Sequence, residues 1–156
     1  MIPRPFVLAL LLPLLLGTSC KLLVSFFIAN LSSHPIHVQY SVPCRPDCPS
    51  PTVIGVRTLK HDGLSGTIHG SRPAAAGVQG RVDSLVTYSL DLSPDTAVRI
   101  FDGGAPFSGK LRDFEDQFPN VRITVDTGQS ARSYQGRALA DSFRMWHKLV
   151  HVFEVR

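Results

Sequence analysis

Leu85-Val86-Thr87-Tyr88-Ser89-Leu90-Asp91-Leu92, then Ser93-Pro94-Asp95, then Thr96-Ala97-Val98-Arg99-Ile100-Phe101, is the stretch whose reading decides the fold. Two runs rich in β-branched and aromatic residues flank three turn formers, the pattern of a β-hairpin. Working outward, Pro35 to Val42 alternates, with Ile36, Val38, Tyr40 and Val42 on one face. Leu22 to Ile28 reads as a buried strand, and Asn30 to Ser33 is turn chemistry, which predicts that these two segments form an antiparallel pair. Val53 to Leu59, Val121 to Val125 and Leu149 to Val155 read as further short strands. Leu139, Phe143 and Trp146 fall at i, i+4 and i+7, which predicts one amphipathic helix over 138–147. His61 to Gly80, with a short strand at Gly66 to His69, and Gly103 to Pro119 read as long irregular connections. About seven short strands separated by turn signals predict an all-β fold, a small antiparallel β-sandwich with one short C-terminal helix; α+β is the alternative.

The chain has 156 residues and a formal net charge of +4, room for a single domain with one core. Its basic residues, such as Arg57, Lys60, Arg72 and Arg81, are dispersed and interrupted by aspartates. No stripe of Lys and Arg with interleaved aromatics appears, which argues against nucleic acid as a partner.

Residues 1–19 hold one basic residue (Arg4), an apolar run from Phe6 to Leu16, and the small residues Gly17-Thr18-Ser19, directly before Cys20. This layout resembles the signal peptide of a bacterial lipoprotein precursor. Gly17 departs from the pattern, because the family carries an aliphatic residue three places before its cysteine. The resemblance covers only these first twenty residues. It implies that Cys20 becomes the lipidated first residue of a mature domain spanning 20–156, anchored to a membrane of the cell envelope. Lys21 stands where the family's inner-membrane retention signal is an aspartate, which implies an outer-membrane destination. Two alternatives stay open: an uncleaved apolar anchor over residues 6–29, weakened by Lys21, Pro13 and Gly17, and a plain secreted protein.

Three cysteines leave one over in an oxidising compartment. If Cys20 takes lipid, Cys44 and Cys48 remain as a pair, inside Pro43-Cys44-Arg45-Pro46-Asp47-Cys48-Pro49. A structural disulfide across this tight loop is the expectation. A redox pair would carry C-x-x-C spacing, and a zinc ribbon would need a second cysteine pair.

Ile123-Thr124-Val125-Asp126-Thr127-Gly128 resembles the aspartic protease signature, but Gln129 follows where that family has alanine or serine, and a strand-ending turn explains the residues. His147 and His151 are four apart, which would align them on a helix; in a strand they would lie about 13 Å apart. His34 and His37, flanking a strand start, face opposite sides. His61, Asp62 and Ser65 share one loop, too close in sequence to stack in relay order. Asp113, Glu115 and Asp116 lack the spacing of a calcium loop. Asn30-Leu31-Ser32 is a formal glycosylation sequon.

The sequence therefore predicts a non-enzymatic envelope lipoprotein, with no metal and no cofactor, that acts as a structural module or docks an envelope protein through its long loops. A small-ligand or carbohydrate-binding lipoprotein is the alternative, for which Tyr134 or Trp146 would lie exposed beside a loop. A hydrolase built on His61, Asp62 or Asp126 is the third reading.

Overall fold

Strand residues that alternate apolar and polar must bury one face, and two such sheets stacked face to face satisfy one another. The computed structural model describes residues 23–44, 50–62, 71–82, 84–104, 118–147 and 149–156. In chain order the elements are β1 (Leu23–Asn30), β2 (Ile36–Pro43), β3 (Thr52–Gly55), α1 (Val56–Asp62), β4 (Arg72–Pro73), β5 (Gly77–Val82) and β6 (Leu85–Leu92). They continue with β7 (Thr96–Gly104), β8 (Arg122–Asp126), β9 (Ala131–Gln135), α2 (Gly136–Ser142), β10 (Phe143–His147) and β11 (Val150–Val155). The first sheet is six-stranded in the order β10-β11-β1-β7-β3-β4; the second is five-stranded, β5-β6-β2-β8-β9. All the pairings are antiparallel except β1 with β11, which run parallel. The fold is the expected all-β sandwich, with two short helices rather than one among the described residues.

The inner faces meet in one apolar layer. Val24, Phe26 and Ile28 of β1, with Val98 and Ile100 of β7, pack against Val38 and Tyr40 of β2, Tyr88 and Leu90 of β6, and Ile123 of β8. Phe101 stacks on Phe26 at 4.5 Å, and Phe143 meets Phe26 edge-on at 5.3 Å. Phe153 follows at 6.2 Å from Phe143, and Tyr134 at 4.9 Å from Phe153. Offset and edge-on pairs of this kind add about 0.5–1.5 kcal/mol each beyond their buried area. The row carries the core out to β9, at the margin of the second sheet.

The predicted pairings are corrected. β6 and β7 do not form a hairpin, and β1 does not pair with β2: each pair straddles the sandwich, one strand in each sheet. Both crossings meet at Asn30, which is 0% exposed. Its Nδ2 donates to the carbonyls of His34 (2.8 Å) and Leu92 (2.9 Å), and its Oδ1 accepts from the amide (3.0 Å) and hydroxyl (2.6 Å) of Ser32. The Asp95 amide donates to the Asn30 carbonyl at 3.0 Å, with Asp95 in the left-handed region at φ 57°. A fully satisfied buried amide is what lets two polar turns close over an apolar layer. The sequon asparagine is thus a structural staple, and the nitrogen a glycan would join is already in use.

Three more expectations change. Val53 to Leu59 is not one strand: the chain turns helical at Val56, so that Val56 and Leu59, three apart, both pack onto the outer face of the first sheet (4% and 0% exposed). The connection from His61 to Gly80 contains β4 and the start of β5, while Gly66 to His69 lies outside the described residues. The helix expected over 138–147 runs from Gly136 to Ser142; Phe143 leaves it at φ −75°, ψ 137° and pairs with Phe153. Trp146 therefore sits on a strand. Strand β9, with a single half-buried apolar residue, Tyr134, was not foreseen.

Candidate functional site

Most of the sequence's candidates separate in space. Cys44 follows β2 and is 7% exposed; Cys20 and Cys48 lie outside the described residues. So do Ser65, Asp113, Glu115 and Asp116, with residues 63–70 of the first long connection and most of the second. Residues 23–29 belong to β1, so a membrane helix cannot run to residue 29. Among the described residues, no helix is long and apolar enough to cross a membrane, and no group of three or more His, Cys, Asp or Glu side chains could hold a metal ion.

Asp126 occupies a turn: its Oδ1 accepts from the Gly128 amide at 2.8 Å, and Gly128 has φ +82°, so the Asp-Thr-Gly run closes the β8–β9 hairpin. His147 and His151 stand on the two strands of the β10–β11 hairpin rather than on one strand. His147 Nε2 lies 2.9 Å from the Lys60 carbonyl, while His151, 2% exposed, stacks on Phe26 at 5.3 Å inside the sandwich. Burial pushes the His151 pKa below its ordinary value.

A relay-like cluster missed in the sequence lies on the outer face of the second sheet. His37 Nε2 is 2.8 Å from Ser89 Oγ, and His37 Nδ1 is 2.7 Å from Asp91 Oδ1. The register explains it, since His37 faces Asp91 directly and Ser89 diagonally. The order is that of a serine hydrolase triad, yet the setting differs. The Asp91 side chain is 81% exposed, whereas a triad aspartate is buried to hold its imidazole. The cluster is also one rung among several. Ser41 pairs with Thr87 (2.8 Å), Thr124 with Ser133 (3.0 Å), Arg122 with Gln135 (2.9 Å) and Gln39 with Gln79. Cross-strand polar pairing accounts for it.

The concave candidate lies at the margin where β9 faces the end of β11. Antiparallel alternation turns Arg132 and Tyr134 of β9 inward, opposite Val125 and Ile123 of β8, while Ser133 and Gln135 turn out. Strand β10 pairs with β11 only as far as Phe153, because α2 precedes Phe143, so Glu154 to Arg156 extend beyond its cover. The gap holds a cavity of about 340 Å³ lined by Arg132, Tyr134, Phe153, Glu154 and Arg156, among others. A shallower hollow of about 710 Å³ shares Tyr134, Phe153, Glu154 and Arg156, and adds Asp141, Arg144 and Trp146. The two form one groove, in the size range of small-molecule sites.

Its electrostatic centre is Glu154. Trp146 Nε1 donates to Oε1 at 2.8 Å, and Arg156 donates to Oε2 through Nη2 (2.7 Å) and Nε (3.2 Å). The Trp146 hydrogen bond, joined by Arg156 and the charge of Arg144, holds the carboxyl below its ordinary pKa against the opposing effect of burial. Lys60 of α1 lies 5.0 Å from the Trp146 ring centroid, a cation–π contact that fixes the indole from the other side. Tyr134 and Trp146, the two aromatics singled out from the sequence, thus line one groove. The arginines were not anticipated, because their convergence depends on β9, which the sequence pattern did not reveal.

No family model, curated protein or solved structure matches this chain.

Proposed function

We propose that this chain is a non-enzymatic binding module of the cell envelope, lipid-anchored through Cys20 to the outer membrane, that takes its partner or ligand in the groove between β9 and β11. The observation that carries the binding role is that groove. It is a concave place where three aromatic rings, three guanidinium groups and a pre-neutralised carboxylate converge on strands of a rigid scaffold. The anchor is supported by the residues before Cys20; because β1 begins at Leu23, an anchor there has almost no tether and holds the domain close against the membrane surface. Assigning Cys20 to lipid leaves Cys44 and Cys48 to form the disulfide that closes the loop after β2. The choice of a small ligand over a purely structural role rests on the groove's size and on the pairing of Tyr134 with Trp146.

Two measurements test this reading. Mass spectrometry of the protein from its native envelope is expected to show an N-terminus at Cys20 carrying acyl chains; an intact, unmodified Met1 overturns the anchor. A photo-cross-linking residue in place of Met145, a groove-lining side chain 62% exposed, is expected to give adducts in intact cells. The same group in place of Thr124, on the opposite outer face, is the control. Equal adducts from both positions overturn the groove.

A further inference from the structure

We infer that the groove selects ligands bearing an oxyanion, a carboxylate or a phosphate, on a small ring-bearing scaffold such as a sugar; the inference rests on the groove being the binding site. The argument begins with charge already spent. Both Glu154 oxygens are engaged, one by Trp146 and the other by Arg156, so the carboxylate has little attraction left for a cation. Its side chain is 16% exposed. Asp141, on the rim, lies 3.8 Å from Arg137, both largely exposed.

Arg132 and Arg144 complete the lining, and neither has a hydrogen bond or ion pair among the described residues. Arg132 points inward from β9, the side on which Val125 and Tyr134 pack. A guanidinium on the inner side of a strand keeps its charge hydrated only if the space before it is open, as the cavity is. Arg144 acts on Glu154 through charge alone, so the groove offers two planar forks whose N–H donors are free of hydrogen bonds to the described residues and whose geometry matches the two oxygens of a carboxylate or phosphate. Tyr134 and Trp146 add ring faces, and Thr127, Ser130 and Ser142 add hydroxyls. Together these suit an acidic saccharide or sugar phosphate better than a neutral or cationic ligand. An inward charge on an edge strand also deters strand addition. That role alone predicts no response to any ligand.

Trp146 is the single tryptophan of the chain and lies in the groove, so its fluorescence reports occupancy directly. Four probes distinguish the chemistry: a uronic-acid disaccharide, its neutral hexose counterpart, a hexose monophosphate and inorganic phosphate. The acidic disaccharide or the hexose phosphate is expected to shift the emission saturably, and whichever binds more tightly names the oxyanion. The neutral disaccharide and inorganic phosphate are each expected to bind at least about ten-fold more weakly, lacking either the fork contacts or the ring. Arg132→Gln with Arg144→Gln should remove that preference. The thermal midpoint should move little, because neither guanidinium is hydrogen-bonded to the described residues and Arg144 acts on Glu154 through charge alone. Equal binding of acidic and neutral disaccharides overturns the inference and leaves the groove standing. Silence from all four probes, with Met145 adducts still forming, overturns the ligand class alone; silence in both experiments removes the groove as well.

Discussion

The two outer faces of the sandwich solve the same problem in opposite ways. On the first sheet, Phe27, Ala29, Ala97, Val150 and Val152 point away from the sandwich interior and are nonetheless buried, with Val56 and Leu59 of α1 packed among them. On the second sheet the outward residues are His37, Gln39, Ser41, Thr87, Ser89, Asp91 and Thr124, joined in cross-strand pairs. One face is a second core with a helical cover, and the other is a hydrated ladder. Burial on both sides makes the first sheet the rigid wall of the groove, since β11 contributes Val150 and Val152 to one side and Phe153 and Val155 to the other.

The largest test of this contrast removes the cover. Leu59→Ala, at a position 0% exposed, is expected to lower unfolding stability by about 2–5 kcal/mol in urea denaturation. Thr124→Ala on the opposite face is expected to stay within about 0.5–1 kcal/mol. Comparable losses at the two sites would mean that the faces are not distinct layers.

Strand positions were legible in the sequence because period-two alternation survives any pairing: Ile36, Val38, Tyr40 and Val42 are all inward, as read. Pairing was not legible. Strand–turn–strand is written the same way for a hairpin and for a crossing between sheets, and what separates them is long-range, such as the Asn30 bond to the Leu92 carbonyl. The cover is hard to read because Val53, Ile54 and Val56 are β-branched and run straight into α1, so only the three-residue spacing of Val56 and Leu59 marks the helix. In the groove, the aromatics stood out by type. Arg132 and Arg144 looked like ordinary surface charge until β9 and β10 aligned them.

A second test lies between the faces, at His151 on the interior side of the first sheet. Its folded pKa is lowered by burial, so the folded protein binds this proton less readily than the unfolded chain. Stability from this group is full above the unfolded value of about 6.5 and is lost as pH falls below it, by about 1.4 kcal/mol per unit of displacement. The Glu154 carboxyl, also lowered, acts in a separate window that opens only below about 4.3. The thermal midpoint is expected to drop as pH falls below about 6.5, and His151→Phe, which keeps a ring against Phe26, should flatten that limb. An acid limb unchanged in His151→Phe would assign it elsewhere.

The smallest expected effect decides whether the polar face is only a ladder. His37 and Asp91 have side chains 48% and 81% exposed, so their charge interaction is shared with water and weakened by salt. Asp91→Asn is expected to change stability by less than about 1 kcal/mol in a urea titration, with no dependence on its position beside Ser89. If the face is inert, an organophosphonate probe leaves Ser89 unlabelled, because an aspartate this hydrated does little to orient the imidazole or stabilise its protonated form. Labelling at Ser89 that vanishes in His37→Ala would reverse that conclusion. The 2.8 and 2.7 Å contacts would then be an acid–base relay, and the contrast between the faces would become one between a structural surface and a chemical one.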